Sequence, residues 1–119
     1  MKLEKVKSVL DAKLLCGEEY LDYDVDYAFS SDLMSDVLAF ASKKTLLLTG
    51  LTNAQVIRTA EMIDVSAIIF VRNKKPDAEI IKLAMENKMI LMNTEDTLYA
   101  ASGKLYNAGL SGIQLNNKD

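Results

Sequence analysis

Three strongly apolar stretches mark the second half of the chain: Thr45-Leu46-Leu47-Leu48-Thr49, Ala67-Ile68-Ile69-Phe70-Val71 and Met89-Ile90-Leu91-Met92. Each leads into a polar turn and then a segment of helical periodicity. The first passes through Gly50 to Asn53 into a helix that runs to about Ile63. The second passes through Arg72 to Pro76 into a helix from Asp77 to about Asn87, and the third through Asn93-Thr94-Glu95-Asp96 into a helix towards Tyr106. Strands that are apolar on both faces and alternate with helices predict a parallel sheet covered on both sides and joined by right-handed crossovers. Pro76 fits the start of its helix, where its missing N–H costs nothing. Asn107-Ala108-Gly109 fits a helix end.

The first half is less regular. Leu3, Val6, Val9 and Leu10 fall at helical spacing, and Ala12 to Cys16 reads as a brief strand closing at Gly17. The acidic, tyrosine-bearing segment Glu18 to Asp24 is expected to be a surface loop. Val25, Tyr27 and Phe29 alternate with Asp26, Ala28 and Ser30, as in a half-buried strand. Ser31 or Asp32 is expected to cap a following helix whose apolar face is Leu33, Met34, Val37, Leu38 and Phe40. The fold class expected is a three-layer α/β/α arrangement on a mainly parallel sheet. It forms one domain over residues 1–114, with a polar tail at 115–119.

Composition narrows function more than fold. A chain of 119 residues is one domain by size. The net charge of −3 provides no field to draw the chain onto nucleic acid. The longest apolar stretches, about five residues, fall far short of the roughly 20 that cross a bilayer, so no membrane role is expected. The charged start, Met1 to Lys7, lacks the apolar core of a signal peptide. With Cys16 as the single cysteine, a reducing cytoplasm is the expected setting. Histidine is absent, which removes the usual general base and the commonest metal ligand. No metal or cofactor site is expected.

Ligands of open α/β sheets settle at the carboxyl ends of the strands. The candidate binding residues are therefore Ser31 and Asp32, Thr49, Gly50, Thr52 and Asn53, Arg72 and Lys74, and Asn93 and Thr94. Gly50 lets the backbone approach an anion, and Arg72, Lys74 and Lys75 form a basic cluster able to pair with phosphate or carboxylate. The competing account makes Thr52 or Asn53 a plain helix cap and the basic cluster a solvated loop. Neither a GxxxxGK[ST] loop nor a GxGxxG fingerprint is present. Tyr20, Tyr23 and Tyr27, among Glu18, Glu19, Asp22, Asp24 and Asp26, form either a contact surface or a set of side chains folded back onto the core. Arg58 reaches towards the Gly50 turn, reaches a partner, or is simply exposed.

Several of these segments together resemble the DRTGG domain and, more distantly, the N-terminal domain of HPr kinase/phosphorylase. They are Ser31 to Leu38, Leu48-Thr49-Gly50-Leu51-Thr52, Ala67 to Val71, Lys75-Pro76 and Asn93 to Thr97, with Leu14 to Gly17 and the Val25 strand also similar. The residues that name the family are replaced: Leu51-Thr52 stands where Asp-Arg would follow the first glycine, and Val71-Arg72-Asn73 where Thr-Gly-Gly would end the next strand. The resemblance implies a regulatory accessory domain, similar to those found beside phosphate acetyltransferase or CBS-pair modules. The kinase's catalytic part is missing, so no enzyme is expected. The leading expectation is a homodimeric sensor of an adenine nucleotide or other phosphate-bearing molecule. The rival is a structural protein that docks on a metabolic or redox enzyme.

Overall fold

A computed structural model describes residues 1–115 of the chain. The expected polar tail at 115–119 lies outside the described residues except for Leu115, which is exposed. The elements in order are α1 (Leu3–Leu10), β1 (Lys13–Cys16), a 3-10 turn (Glu18–Tyr20), β2 (Tyr27–Ser30), α2 (Met34–Phe40) and β3 (Thr45–Thr49). There follow α3 (Ala54–Met62), β4 (Ala67–Phe70), α4 (Ala78–Glu86), β5 (Ile90–Asn93), α5 (Leu98–Asn107) and β6 (Ser111–Gly112). The strands form one sheet in the order β1-β5-β4-β3-β2-β6. All neighbours are parallel except β1, which pairs antiparallel with β5 at one edge.

The apolar strands sort their side chains by parity. Leu46, Leu48, Ala67, Ile69, Ile90 and Met92 join a core with Leu3, Val6 and Leu10 of α1 and Ala101 and Leu105 of α5. Leu47, Ile68, Phe70 and Leu91 face the other way, towards Met34 and Val37 of α2, Val56, Ile57 and Ala60 of α3, and Ala84 of α4. Alternate residues in a strand point to opposite faces, so a strand buried on both sides must be apolar throughout. The expected three-layer architecture follows.

Other expectations give way to tertiary contacts. The Glu18–Asp24 segment is not a detached loop. Its carbonyls at Tyr23 and Leu21 accept from the N–H groups of Leu3 and Glu4 at 2.9 and 2.8 Å. Lys2 offers α1 no side-chain cap, so this segment supplies the acceptors that the helix start lacks. Tyr20, Leu21 and Tyr23 consequently rest against the α1 core. The Val25–Ser30 alternation shortens to a strand at Tyr27–Ser30. Ala28 packs on one core and Phe29 on the other, because successive residues of β2 point to opposite faces of a sheet covered on both sides. On α2 only Met34 and Val37 are buried; Leu33, Leu38 and Phe40 are 57, 43 and 43% exposed. Two turns of helix bring a single i, i+3 pair onto the sheet. The two-residue β6 went unexpected.

Helices α1, α3, α4 and α5 end alike. In α4, Met89 N–H reaches Ala84 O at 3.0 Å and Lys88 N–H reaches Met85 O at 3.1 Å. The matching pairs are Ala12 to Lys7 with Asp11 to Ser8, Val65 to Ala60 with Asp64 to Glu61, and Leu110 to Leu105 with Gly109 to Tyr106. In each, the penultimate residue is left-handed: Asp11, Asp64, Lys88 and Gly109, at φ 48, 58, 59 and 108°. A buried apolar residue then follows, Ala12, Val65, Met89 or Leu110. This pattern closes the last carbonyls of a helix and points the chain back at the sheet. Only Gly109 holds the conformation without a steric penalty.

Exposed Lys88 is therefore an improvable position. Lys88→Gly should raise stability by about 0.5–1 kcal/mol, the left-handed penalty less glycine's added chain entropy, whereas Lys88→Ala should gain nothing. Urea unfolding of the three proteins decides it; equal midpoints would refute the strain at this turn.

Candidate functional site

Parallel registry aligns Ser30 with Leu48, Thr49 with Phe70 and Phe70 with Asn93, so the turns after β2, β3, β4 and β5 share one edge. The ladder continues past the strand ends: Ser31 N–H donates to Leu48 O at 3.0 Å, Val71 N–H to Thr49 O at 3.1 Å, and Thr94 N–H to Phe70 O at 2.9 Å. The four expected segments do meet.

Gly50 is their centre. Asp32 Oδ1 accepts from Gly50 N–H at 2.7 Å and from the Thr49 hydroxyl at 2.9 Å, tying the β2 turn to the β3 turn. Asp32 is therefore a crosslink and not the cap of α2, whose N-cap position is Leu33; Ser31 Oγ accepts the Leu33 N–H at 3.0 Å instead. Over Gly50 lies the Arg72 guanidinium. A β-carbon built on Gly50 would stand 2.9 Å from Arg72 Cζ and 3.0 Å from a terminal nitrogen. Glycine is needed here for closeness of approach, not for its backbone freedom. Arg72 is exposed and has no carboxylate partner among the described residues.

The β4 turn is unusual. Arg72 and Asn73 are consecutive left-handed residues at φ 57 and 55°. Their N–H groups donate to Asp96 O at 2.8 Å and Thr94 O at 2.7 Å, so the β5 turn holds this conformation in place. Lys74 and Lys75 follow, exposed. Thr52 is half-buried, and Asn53 is the N-cap of α3 without a side-chain cap bond. The expected capping by Thr52 or Asn53 is thus replaced: the Thr49 hydroxyl accepts Leu51 N–H at 3.2 Å and shapes the turn. Thr94 is buried, and its hydroxyl donates to Leu10 O at 2.9 Å, pinning the end of α1.

Next to this edge lies a cavity of about 280 Å³. Its lining includes Asp11, Lys13, Asn73, Asn93, Asp96 and Lys104. Lys104 bonds both carboxylate oxygens of Asp96, at 3.0 and 2.9 Å. The Asn93 amide donates to Asn73 Oδ1 at 3.3 Å, while its own Oδ1 is buried without a partner. Asp11, Lys13 and Lys104 were not among the expected site residues. Antiparallel β1 starts opposite the end of β5, with Lys13 against Asn93, and so carries the α1–β1 turn to this edge. Nothing in local periodicity distinguishes an antiparallel strand from a parallel one.

The remaining candidates lie elsewhere. Tyr20 and Tyr23 are half-buried on the core, with Lys44 Nζ 5.4 Å from the Tyr23 ring centre; Tyr27 is exposed. Arg58 lines a groove between α3 and α4 with Glu79 and Glu86. A larger groove of about 710 Å³ runs beside α5, lined by Tyr99, Gly103, Tyr106, Leu110 and Ser30 among others. Burial, and to a lesser degree Glu19, pushes the Cys16 thiol above its ordinary pKa, which makes it a poor nucleophile at neutral pH.

Comparison with known proteins places these features in context. The DRTGG domain model matches residues 5–108. A crystal structure of the CBS and DRTGG domains of the regulatory region of Clostridium perfringens pyrophosphatase, complexed with its activator diadenosine tetraphosphate, matches with a TM-score of 0.74 at 20% identity. The match covers 98% of this chain and 51% of that one, so this chain spans about half the length of that polypeptide. It establishes the likeness of fold. No curated protein matches the sequence.

Two substitutions separate support from contact. Gly50→Ala should displace only the exposed Arg72 side chain and change stability by less than about 1 kcal/mol, whereas Asp32→Ala, which strips two charge-assisted hydrogen bonds from the β3 turn, should cost about 1–2 kcal/mol. Thermal unfolding tests the ranking, and the reverse order would refute this account of the turn.

Proposed function

The chain belongs to the DRTGG domain family, and on that footing we propose that it is a non-catalytic regulatory module that senses a phosphate-bearing small molecule, foremost an adenine nucleotide. The site is the edge formed by the ends of β2 to β5. One observation carries the reading: Arg72 lies across Gly50, exposed and without a carboxylate partner among the described residues, in a turn of two left-handed residues. A guanidinium in that state is available to an incoming anion. Lys74 extends the positive edge. Ser31, Asp32, Thr49, Thr52 and Asn53 shape its floor, and Asn93 and Thr94 close its far end.

The regulatory region that shares this fold was crystallised with a nucleotide activator, which supports the ligand class. The absence of histidine and of a GxxxxGK[ST] loop supports a role without turnover. A single cysteine, unable to form an internal disulfide, suits a cytoplasmic setting. No helix among the described residues is long and apolar enough to cross a membrane.

A second reading rests on α5, where Tyr99 and Tyr106 are 90 and 71% exposed along the large groove. Here the module acts by docking, on a second copy of itself as a homodimer or on the enzyme it regulates. Tyr20, Tyr23, Tyr27 and Arg58 lie outside the lining of that groove and would serve docking only at other faces of the module.

The test is thermal unfolding against nucleotides, acyl phosphates and sugar phosphates. A ligand at 100 times its dissociation constant adds about 2.7 kcal/mol, roughly 10 °C in a domain of this size. The shift should disappear in Arg72→Ala. With no shift from any ligand, and a mass by light scattering that falls when Tyr99 and Tyr106 are both changed to serine, the docking reading replaces the sensor.

A further inference from the structure

We infer that the cavity between the α1–β1 and β5–α5 turns is the subsite for an amine-bearing nucleobase, read by Asn93 Oδ1. The inference deepens the sensor reading above and rests on it.

The argument starts from an unmet hydrogen bond. Asn93 is 4% exposed. One end of its amide is used, since Nδ2 donates to Asn73 Oδ1 at 3.3 Å. The other end, Oδ1, is buried with no partner among the described residues. Buried polar atoms are almost always satisfied, and a carbonyl oxygen asks for a donor. Asn93 and Asn73 both line the 280 Å³ cavity, so a small turn of the Asn93 amide would bring that oxygen to a donor arriving there.

The charges around the cavity narrow the donor's identity. Lys104 is held by both oxygens of Asp96. The other charged wall residues are Lys13, Asp11 and Glu95, so the cavity is lined by three carboxylates and two cations. No cation is left in excess, so the cavity disfavours a phosphate and suits a neutral polar group. Anions have their place next door: Asn73 is both a wall of the cavity and the neighbour of Arg72, beyond which stand Lys74 and Lys75. A ligand spanning the two regions has a neutral head with an N–H donor and an anionic tail. A nucleotide with an exocyclic amine on its base has that form. The volume is at the lower end for ligand pockets and suits the base alone.

Adenine and cytosine both carry such an amine, while hypoxanthine and uracil present a carbonyl at the same place. Calorimetric titration of the whole chain with AMP, IMP, CMP and UMP, with pyrophosphate as a fifth arm, tests the assignment. The amine nucleotides should bind roughly 10- to 100-fold tighter than their oxo counterparts, because the oxo group sets a second acceptor against Asn93 Oδ1. Comparison of AMP with CMP identifies the base. In Asn93→Val the preference should fall to within about twofold of unity; if that variant does not fold, the ratio in the unaltered protein decides. Equal affinity within each pair, or binding of pyrophosphate alone, overturns the nucleobase subsite and leaves the sensor reading standing. No binding in any arm overturns both.

Discussion

The parallel registry of β2, β3, β4 and β5 is the constraint on which the molecule depends. It demands crossover helices on the faces of the sheet, and those helices bury both sides of β3, β4 and β5, so these strands are apolar apart from Thr45, Thr49 and Asn93 at their ends. It also sends every crossover out of the same edge, which is why Gly50 N–H reaches Asp32 Oδ1 and Asn73 N–H reaches Thr94 O, each at 2.7 Å, from one strand-end turn to the next. Antiparallel β1 exploits the same edge from the opposite direction. Its starting residue, not its end, arrives beside Asn93, and the wall of the cavity comes with it.

How much of this could be read from the chain follows from how local each determinant is. β3, β4 and β5 were legible to within a residue at each end because double burial writes itself as a nearly unbroken apolar run, whereas Asn93 read as the start of a turn and is the last residue of β5. The meeting of four turns was legible because topology alone enforces it. The reversals after α1, α3 and α4 were not, since Asp11, Asp64 and Lys88 adopt a conformation advertised by glycine, and only Gly109 advertises it. Glu18 to Asp24 read as a surface loop because its composition is acidic; its fold is set by two N–H groups of α1 that need acceptors. Asp32 read as a cap because caps and crosslinks use the same carboxylate, and only the proximity of Gly50 N–H decides between them. The cavity was invisible to any local pattern, since Lys13, Asn93 and Lys104 are brought together by one antiparallel pairing and one helix packing.

Backbone strain distinguishes the β4 turn from the other turns. At Asp11, Asp64 and Lys88 a single left-handed residue reverses a helix, and the buried residue after it offsets the penalty through packing. At Arg72 and Asn73 two such residues stand in succession, with exposed side chains and exposed Lys74 and Lys75 behind them. No apolar burial offsets that conformation, which costs a residue such as arginine about 1–2 kcal/mol. It persists because the carbonyls of Asp96 and Thr94 hold the two N–H groups, and its effect is to lay a charged guanidinium over a bare α-carbon. Strain that is held by hydrogen bonds without apolar packing, and that fixes a cation at a strand end, is what supports the proposed site at this edge, since a glycine at 72 would relieve the strain and remove the guanidinium with it.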